Sequence, residues 1–243
     1  MTEQPSKPPR KWGRRFLKIV LYVILTLVII VGVAGYILLA VAPVPETSEY
    51  EVDLAQVRQL ALADEEPLPV RLNAMIVADG AFPKTMVIAG SGFQEHRMAF
   101  SSFQVVYEDS AIIVDAVHNQ ADHEAMFSGK PYDAEKFETM QTAMRHSRLI
   151  LATHEHFDHI GGLSKSPYLD EIKEKVILTR EQIDHAVPET GFTPEMLAQF
   201  TPLDYEQYHR IAPGIVFIKA ACHTPGSQMI YVQLQNGTEY LLV

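Results

Sequence analysis

Within six residues, His154-Glu155-His156-Phe157-Asp158-His159, the chain holds three histidines and an aspartate, and no other stretch of its 243 residues is so dense in groups that can bind a metal ion. The preceding Ser147-Arg148-Leu149-Ile150-Leu151-Ala152 ends in an apolar run of strand length, which places the cluster where a buried strand emerges into a loop. In an extended chain, residues two apart share a face, so His154 and His156 lie side by side. Asp158 and His159 are adjacent and diverge unless the chain turns, and Gly161-Gly162 permits a turn. Neutral imidazole and carboxylate are ligands that zinc takes at about 2.0–2.2 Å, and two ligand sets offset along one loop suit two ions about 3.5–4 Å apart. A helical His-Glu-x-x-His site is excluded, because it needs histidines at i and i+4 and these lie at i and i+2.

The stretch resembles the His-x-His-x-Asp-His signature of the metallo-β-lactamase fold superfamily and matches it at every position. A second segment, Ala221-Cys222-His223-Thr224-Pro225-Gly226-Ser227, follows the apolar run Ile215-Val216-Phe217-Ile218 and resembles the superfamily's His-Thr-Pro-Gly-His/Ser loop. Asp115, closing Ala111-Ile112-Ile113-Val114, resembles its strand-end aspartate, although Val117 stands where a glycine is usual. The resemblance implies an α/β fold, an αββα four-layer sandwich with two sheets face to face, helices outside and metals at the sheet edge. It implies that His154, His156 and His223 hold a first ion and Asp158 and His159 a second. Asp158 would also be catalytic, by orienting the nucleophile, and Asp115 would support the loop by hydrogen bonding without ligating. The implied cofactor is zinc, as one or two ions, with iron or manganese also suited to these ligands. The implied activity is that of a metal-dependent hydrolase, whose metal-bound hydroxide attacks an ester, lactone, thioester, amide or phosphodiester bond of a small-molecule substrate. Two alternatives stand beside it: an iron-dependent oxidoreductase of the same fold, for which no flavin-binding extension is visible, and a non-catalytic metal-binding or scaffold protein. Cys222, the only cysteine, reads as a small neighbour of its loop. His118, His123, His146, His185 and His209 have no partner spacing and are expected to face solvent or bond locally.

The rest of the chain divides by composition. Residues 1–15 are Pro-rich and basic and are expected to form a disordered tail. From Ile19 to Ala42 there is no charge, and about 24 residues would rise about 36 Å as a helix, enough for a bilayer core of about 30 Å. We expect a transmembrane helix over 16–42. A cleaved signal peptide is the rival, since Ala40-Val41-Ala42 has a small-x-small form, but the run exceeds the apolar segment of such a peptide and Pro43 follows directly. Basic residues before the run and Glu46, Glu49, Glu51 and Asp53 after it place the N-terminus in the cytoplasm and the domain outside the cell (inner) membrane. Residues 1–18 carry six of the twenty Lys and Arg but one of the thirty acids, so the remainder is more acidic than the net charge of −10 suggests. That argues against nucleic acid as the main partner.

A linker with a short amphipathic helix from Asp53 to Ala63 is expected over 43–69, and the metal-binding domain over 70–243. Strands are expected near 70–77, 84–89, 100–107 and 110–114, then a helix over 133–147 that makes a βαβ crossover to the strand at 148–153. Helical stretches follow near 167–175, 180–186 and 194–200, with strands at 176–179, 206–211 and 215–220 and a pair joined at Asn236-Gly237. In the superfamily a bridging Asp and a further His come after such a pair. The resemblance therefore covers about the first two thirds of the fold, and the chain is expected to be a truncated form with weak or no hydrolysis of its own.

Overall fold

A computed structural model describes residues 11–41, 46–48, 50–63 and 65–243. Most of the expected basic tail, the end of the apolar run at Ala42-Pro43 and parts of the linker lie outside the described residues. The described parts of Met1–Ser48, with Phe82–His96, form one compact unit, and Glu49–Ala81 with Arg97–Val243 form a second.

In the first unit, helix α1 (Lys11–Tyr36) passes into a π-helical turn at Ile37–Val41. It already includes Lys11–Arg15, ahead of the start expected at residue 16, because Lys and Arg are good helix formers. Among the described residues it is the one helix long and apolar enough to cross a membrane, over Arg15–Tyr36.

The second unit is built on two sheets. Strands β1 (Arg71–Pro83), β2 (Glu95–Val106), β3 (Ala111–Val114), β4 (Leu149–Leu151) and β5 (Val176–Ile177) lie in that order in one sheet, and β6 (Tyr208–Ala212), β7 (Ile215–Lys219), β8 (Gln228–Gln233) and β9 (Glu239–Leu242) in the other. The helices are α2 (Leu54–Ala61), α3 (Lys84–Val87, in the first unit), α4 (Gln120–Phe127), α5 (Ala134–His146), α6 (Phe157–Ser164), α7 (Leu169–Ile172), α8 (Arg180–Asp184) and α9 (Pro194–Leu197). β3 and β4 pair in parallel, with Ile113 opposite Ile150, and α5 supplies the expected crossover. The second sheet is an antiparallel meander.

The sheets pack face to face through Val105, Ile112 and Leu151 on one side and Phe217, Ile230 and Val232 on the other. Removing these apolar side chains from water contributes about 1.5–3 kcal/mol each. Outside the second sheet, α2 buries Val57 and Ala61 against Val216, Ile218 and Tyr231. Outside the first, α5 buries Met140 and Met144. Helix, sheet, sheet and helix give the expected four layers.

Three expectations fail locally. The segment at 84–89 is not a strand but the helical turn α3, and β1 does not stop near residue 77 but runs straight through Asp79-Gly80, a pair that reads as a turn between the strands expected at 70–77 and 84–89. Gly80 serves close packing: a Cβ there would lie 2.6 Å from Cζ of Phe100. Helix α4 was not expected, since its apolar residues do not repeat along one face.

Candidate metal centre

Asp115, the 152–156 segment and the loop after β7 lie at the ends of β3, β4 and β7, and side chains there converge. Thr153 O accepts from Gln228 N at 2.9 Å, which ties the end of β4 to the start of β8 and joins the two sheets at this edge. β4 ends at Leu151 and residues 153–156 form a bend, on which His154 and His156 come together with ring centroids 4.9 Å apart. Contrary to the expected loop, the chain then enters a helix. His156, in extended conformation, is the residue before the first turn of α6, so Asp158 and His159 stand on helical backbone. α6 also runs through Gly161-Gly162, which are there for close approach rather than for a turn. A Cβ on Gly162 would lie 2.3 Å from the Val117 carbonyl oxygen, beneath the loop that follows β3.

The ligand atoms fall into two groups, His154, His156 and His223 in one and His154, Asp158 and His159 in the other, each within 4.8 Å. His223 Nε2 is 3.1 Å from His156 Nδ1, and the His154 and His159 rings are 3.8 Å apart between centroids. Four imidazoles and a carboxylate gathered this closely form a donor set that could hold a metal ion. Cys222 is exposed and belongs to neither group.

Asp115 organises the second group. It is buried, with φ of 64°, a left-handed conformation that Asp tolerates better than most residues. Its Oδ1 accepts from Thr153 N at 2.7 Å, and its Oδ2 from Thr153 Oγ1 at 2.9 Å. Oδ2 also lies 2.9 Å from His159 Nδ1, so the ring is anchored on one nitrogen and presents Nε2, 3.3 Å from Asp158 Oδ2. A carboxylate behind an imidazole in this way fixes the tautomer and orientation of a ligating histidine.

The electrostatics match a cation site. Burial opposes charge on His159, but Asp115 and Asp158 outweigh it and raise its pKa to about 10. Burial opposes ionisation of Asp158 as well, yet His159 and His154 hold it down to about 2. Burial, then the charge of His159, pushes His154 down to about 2, and burial followed by His223 lowers His156. Neutral imidazole beside ionised carboxylate is the form in which both ligate; His154, His156 and Asp158 are already in it, whereas an ion would have to displace the proton from His159 Nε2. The residues present therefore fit a divalent ion.

Glu155 has a part that the spacing did not assign. It is buried, and its carboxylate accepts from Thr224 Oγ1 at 2.8 Å and Gly226 N at 3.1 Å. It thus clamps the loop that carries His223. Gly226 lets it come close, since a Cβ there would lie 2.5 Å from Glu155 Oε2. Gln182, in a Thr179-x-x-Gln182 capping box, holds the same loop by donating to Gly226 O and Ala152 O, both at 3.1 Å. That box is a readable signal. Glu155→Ala leaves Gly226 N without its acceptor and Thr224 Oγ1 with Ser227 Oγ alone, at 2.8 Å, and is expected to cost about 1–3 kcal/mol of folding stability in denaturant unfolding, with Glu155→Gln losing less. A loss near zero for both would remove Glu155 from this role.

Of the histidines expected outside the site, His118 and His123 are buried rather than solvent-facing and bond locally. His123 Nε2 meets Lys130 O at 3.2 Å, and His118 Nε2 meets His123 Nδ1 at 3.1 Å. Burial lowers the His118 pKa to about 4.

No family model and no curated protein matches the sequence. Solved structures do match. An N-acyl homoserine lactone hydrolase with the product N-hexanoyl-L-homoserine at its catalytic metal centre is 16% identical, with a TM-score of 0.57 over 72% of this chain and 74% of that one. A quorum-quenching N-acyl homoserine lactone lactonase is 15% identical, with a TM-score of 0.57 over 72% of each chain. A Staphylococcus aureus protein named as a probable metal-dependent hydrolase is 12% identical, with a TM-score of 0.50 over 72% and 73%. The chain has the metallo-β-lactamase fold. At such identities the likeness is one of fold, and within the metallo-β-lactamase fold the chemistry must be argued from this chain's own residues.

Proposed function

We propose that the protein is a membrane-anchored, metal-dependent hydrolase of a small molecule. The observation that carries this is the pair of ligand groups sharing His154, with His159 anchored by Asp115. His154, His156 and His223 would hold one ion of the zinc class, and Asp158 and His159 a second. Bound there, such ions supply a water nucleophile near neutral pH and polarise the oxygen of a carbonyl or phosphoryl group. Asp158, ionised and fixed on the first turn of α6, positions that nucleophile. Asp115 and Thr153 keep His159 from rotating, and Glu155 keeps the His223 loop in register. The lactone hydrolases of the same fold make lactones the first substrates to try, ahead of thioesters, β-lactams and phosphodiesters.

The test is turnover of such a reporter panel by the natural full-length protein with zinc, manganese or iron. Hydrolysis that a chelator abolishes and metal restores supports the reading. Metal bound without turnover of any member favours a non-catalytic metal-binding protein.

The membrane part of the reading rests on Arg15–Tyr36, which is long and apolar enough to span, and on the charge asymmetry around it. We expect an N-terminal tag to stay on the mature protein and a fusion after Val243 to light only a reporter that works outside the cytoplasm. Loss of the tag would identify a cleaved leader, and a signal from a cytoplasm-only reporter would reverse the orientation.

A further inference from the structure

The same unit that contains α1 contains segment 82–96, which exposes an apolar cluster: Met86 is 67% exposed, Val87 43%, Ile88 48% and Phe93 60%. Four large apolar side chains open to water within eight residues are more than scattered surface hydrophobics, and they mark an interaction surface. Their neighbour identifies the partner. The last carbonyls of a helix have no intrahelical donor. Here the Leu39 carbonyl accepts from both Thr85 Oγ1 and Gly90 N, the latter at 3.2 Å, so the segment caps the C-terminal end of the apolar helix. Arg15–Tyr36 is 22 residues, which rise about 33 Å against a hydrocarbon core of about 30 Å. The turn Ile37–Val41, and with it the capping segment, therefore falls at the headgroup level, where Tyr36 is also exposed.

We propose that segment 84–93 is a second membrane contact, with Met86, Val87, Ile88 and Phe93 immersed in the lipid interface beside the end of α1. The proposal rests on the reading of α1 as a bilayer-spanning anchor. Immersion to about 5–10 Å, into the boundary between headgroups and acyl chains, is the depth at which apolar faces of interfacial segments settle. It explains why Met86 and Val87 on the helical turn, and Ile88 and Phe93 after it, are exposed.

The experiment uses the full chain in phosphatidylcholine vesicles. In a Cys222→Ser background, single cysteines at Val28, Met86, Phe93 and Glu108 carry an environment-sensitive fluorophore, and lipids bearing nitroxides at shallow or deep positions quench it. The expected result is loss of emission at Met86 and Phe93 mainly with the shallow nitroxide, loss at Val28 mainly with the deep one, and none at Glu108. Quenching at Val28 while Met86 and Phe93 behave like Glu108 overturns the proposal and leaves the anchor standing. No quenching at Val28 removes the anchor and this contact with it. Phe93→Trp combined with Trp12→Phe repeats the depth measurement without a bulky label and decides the matter if the labelled variants do not reconstitute.

Discussion

Asp115→Ala is expected to cost about 3–5 kcal/mol of folding stability, because it strips the acceptor from Thr153 N, Thr153 Oγ1 and His159 Nδ1 at one buried point. A further part of that loss comes from the backbone, since alanine at a φ of 64° pays a steric cost of about 1–2 kcal/mol. Asp115→Asn separates the two effects. Asparagine tolerates the left-handed conformation, but its amide puts a donor where Thr153 and His159 also donate. It should therefore fold better than the alanine variant and still show metal affinity lowered about 10–100-fold, the usual consequence of removing the partner behind a ligating histidine. Denaturant unfolding of the metal-free protein and competitive metal titration read the two quantities. An asparagine variant with unchanged metal affinity would make Asp115 a turn residue and nothing more.

Asp158→Ala is expected to lower kcat and kcat/KM together, by about 10²-fold, for whichever reporter the natural protein turns over, with KM little changed. The residue belongs to the group that shares His154 and contacts no part of a substrate in this reading, so its loss misplaces the nucleophile and leaves ground-state binding intact. Its burial on the first turn of α6 means that the substitution also removes a charge from beside His159. Steady-state kinetics with saturating metal checks this. A rise in KM at constant kcat would assign Asp158 to substrate binding instead.

Much of the site was legible in the spacing of its histidines. The i, i+2 spacing predicts His154 and His156 on one side, and they do meet, although β4 ends at Leu151 and the segment that carries them is a bend, from which Glu155 reaches the His223 loop. What spacing could not show was the helix that starts at Phe157. A glycine pair reads as a turn signal, yet Gly161 and Gly162 serve the approach of α6 to the loop after β3, a tertiary constraint invisible along the chain. Gly80 misled in the same way, since Asp-Gly suggests a turn while the space it leaves is filled by Phe100. Segment 84–89 carries Val and Ile, which favour strands in general, yet it is helical over Lys84–Val87. At this position the hydrogen bonds to the Leu39 carbonyl decide its shape instead.

We propose that His154, His156 and His223, with Asp158 and His159, form a metal centre. Elemental analysis of the purified natural protein, beside its His154→Ala/His156→Ala variant, tests it most directly. One or two zinc-class ions per chain are expected in the parent, since neutral imidazoles with a water complete a tetrahedral shell, and none in the variant at equal folded fraction. Metal retained at the parental stoichiometry after both histidines are gone would contradict it.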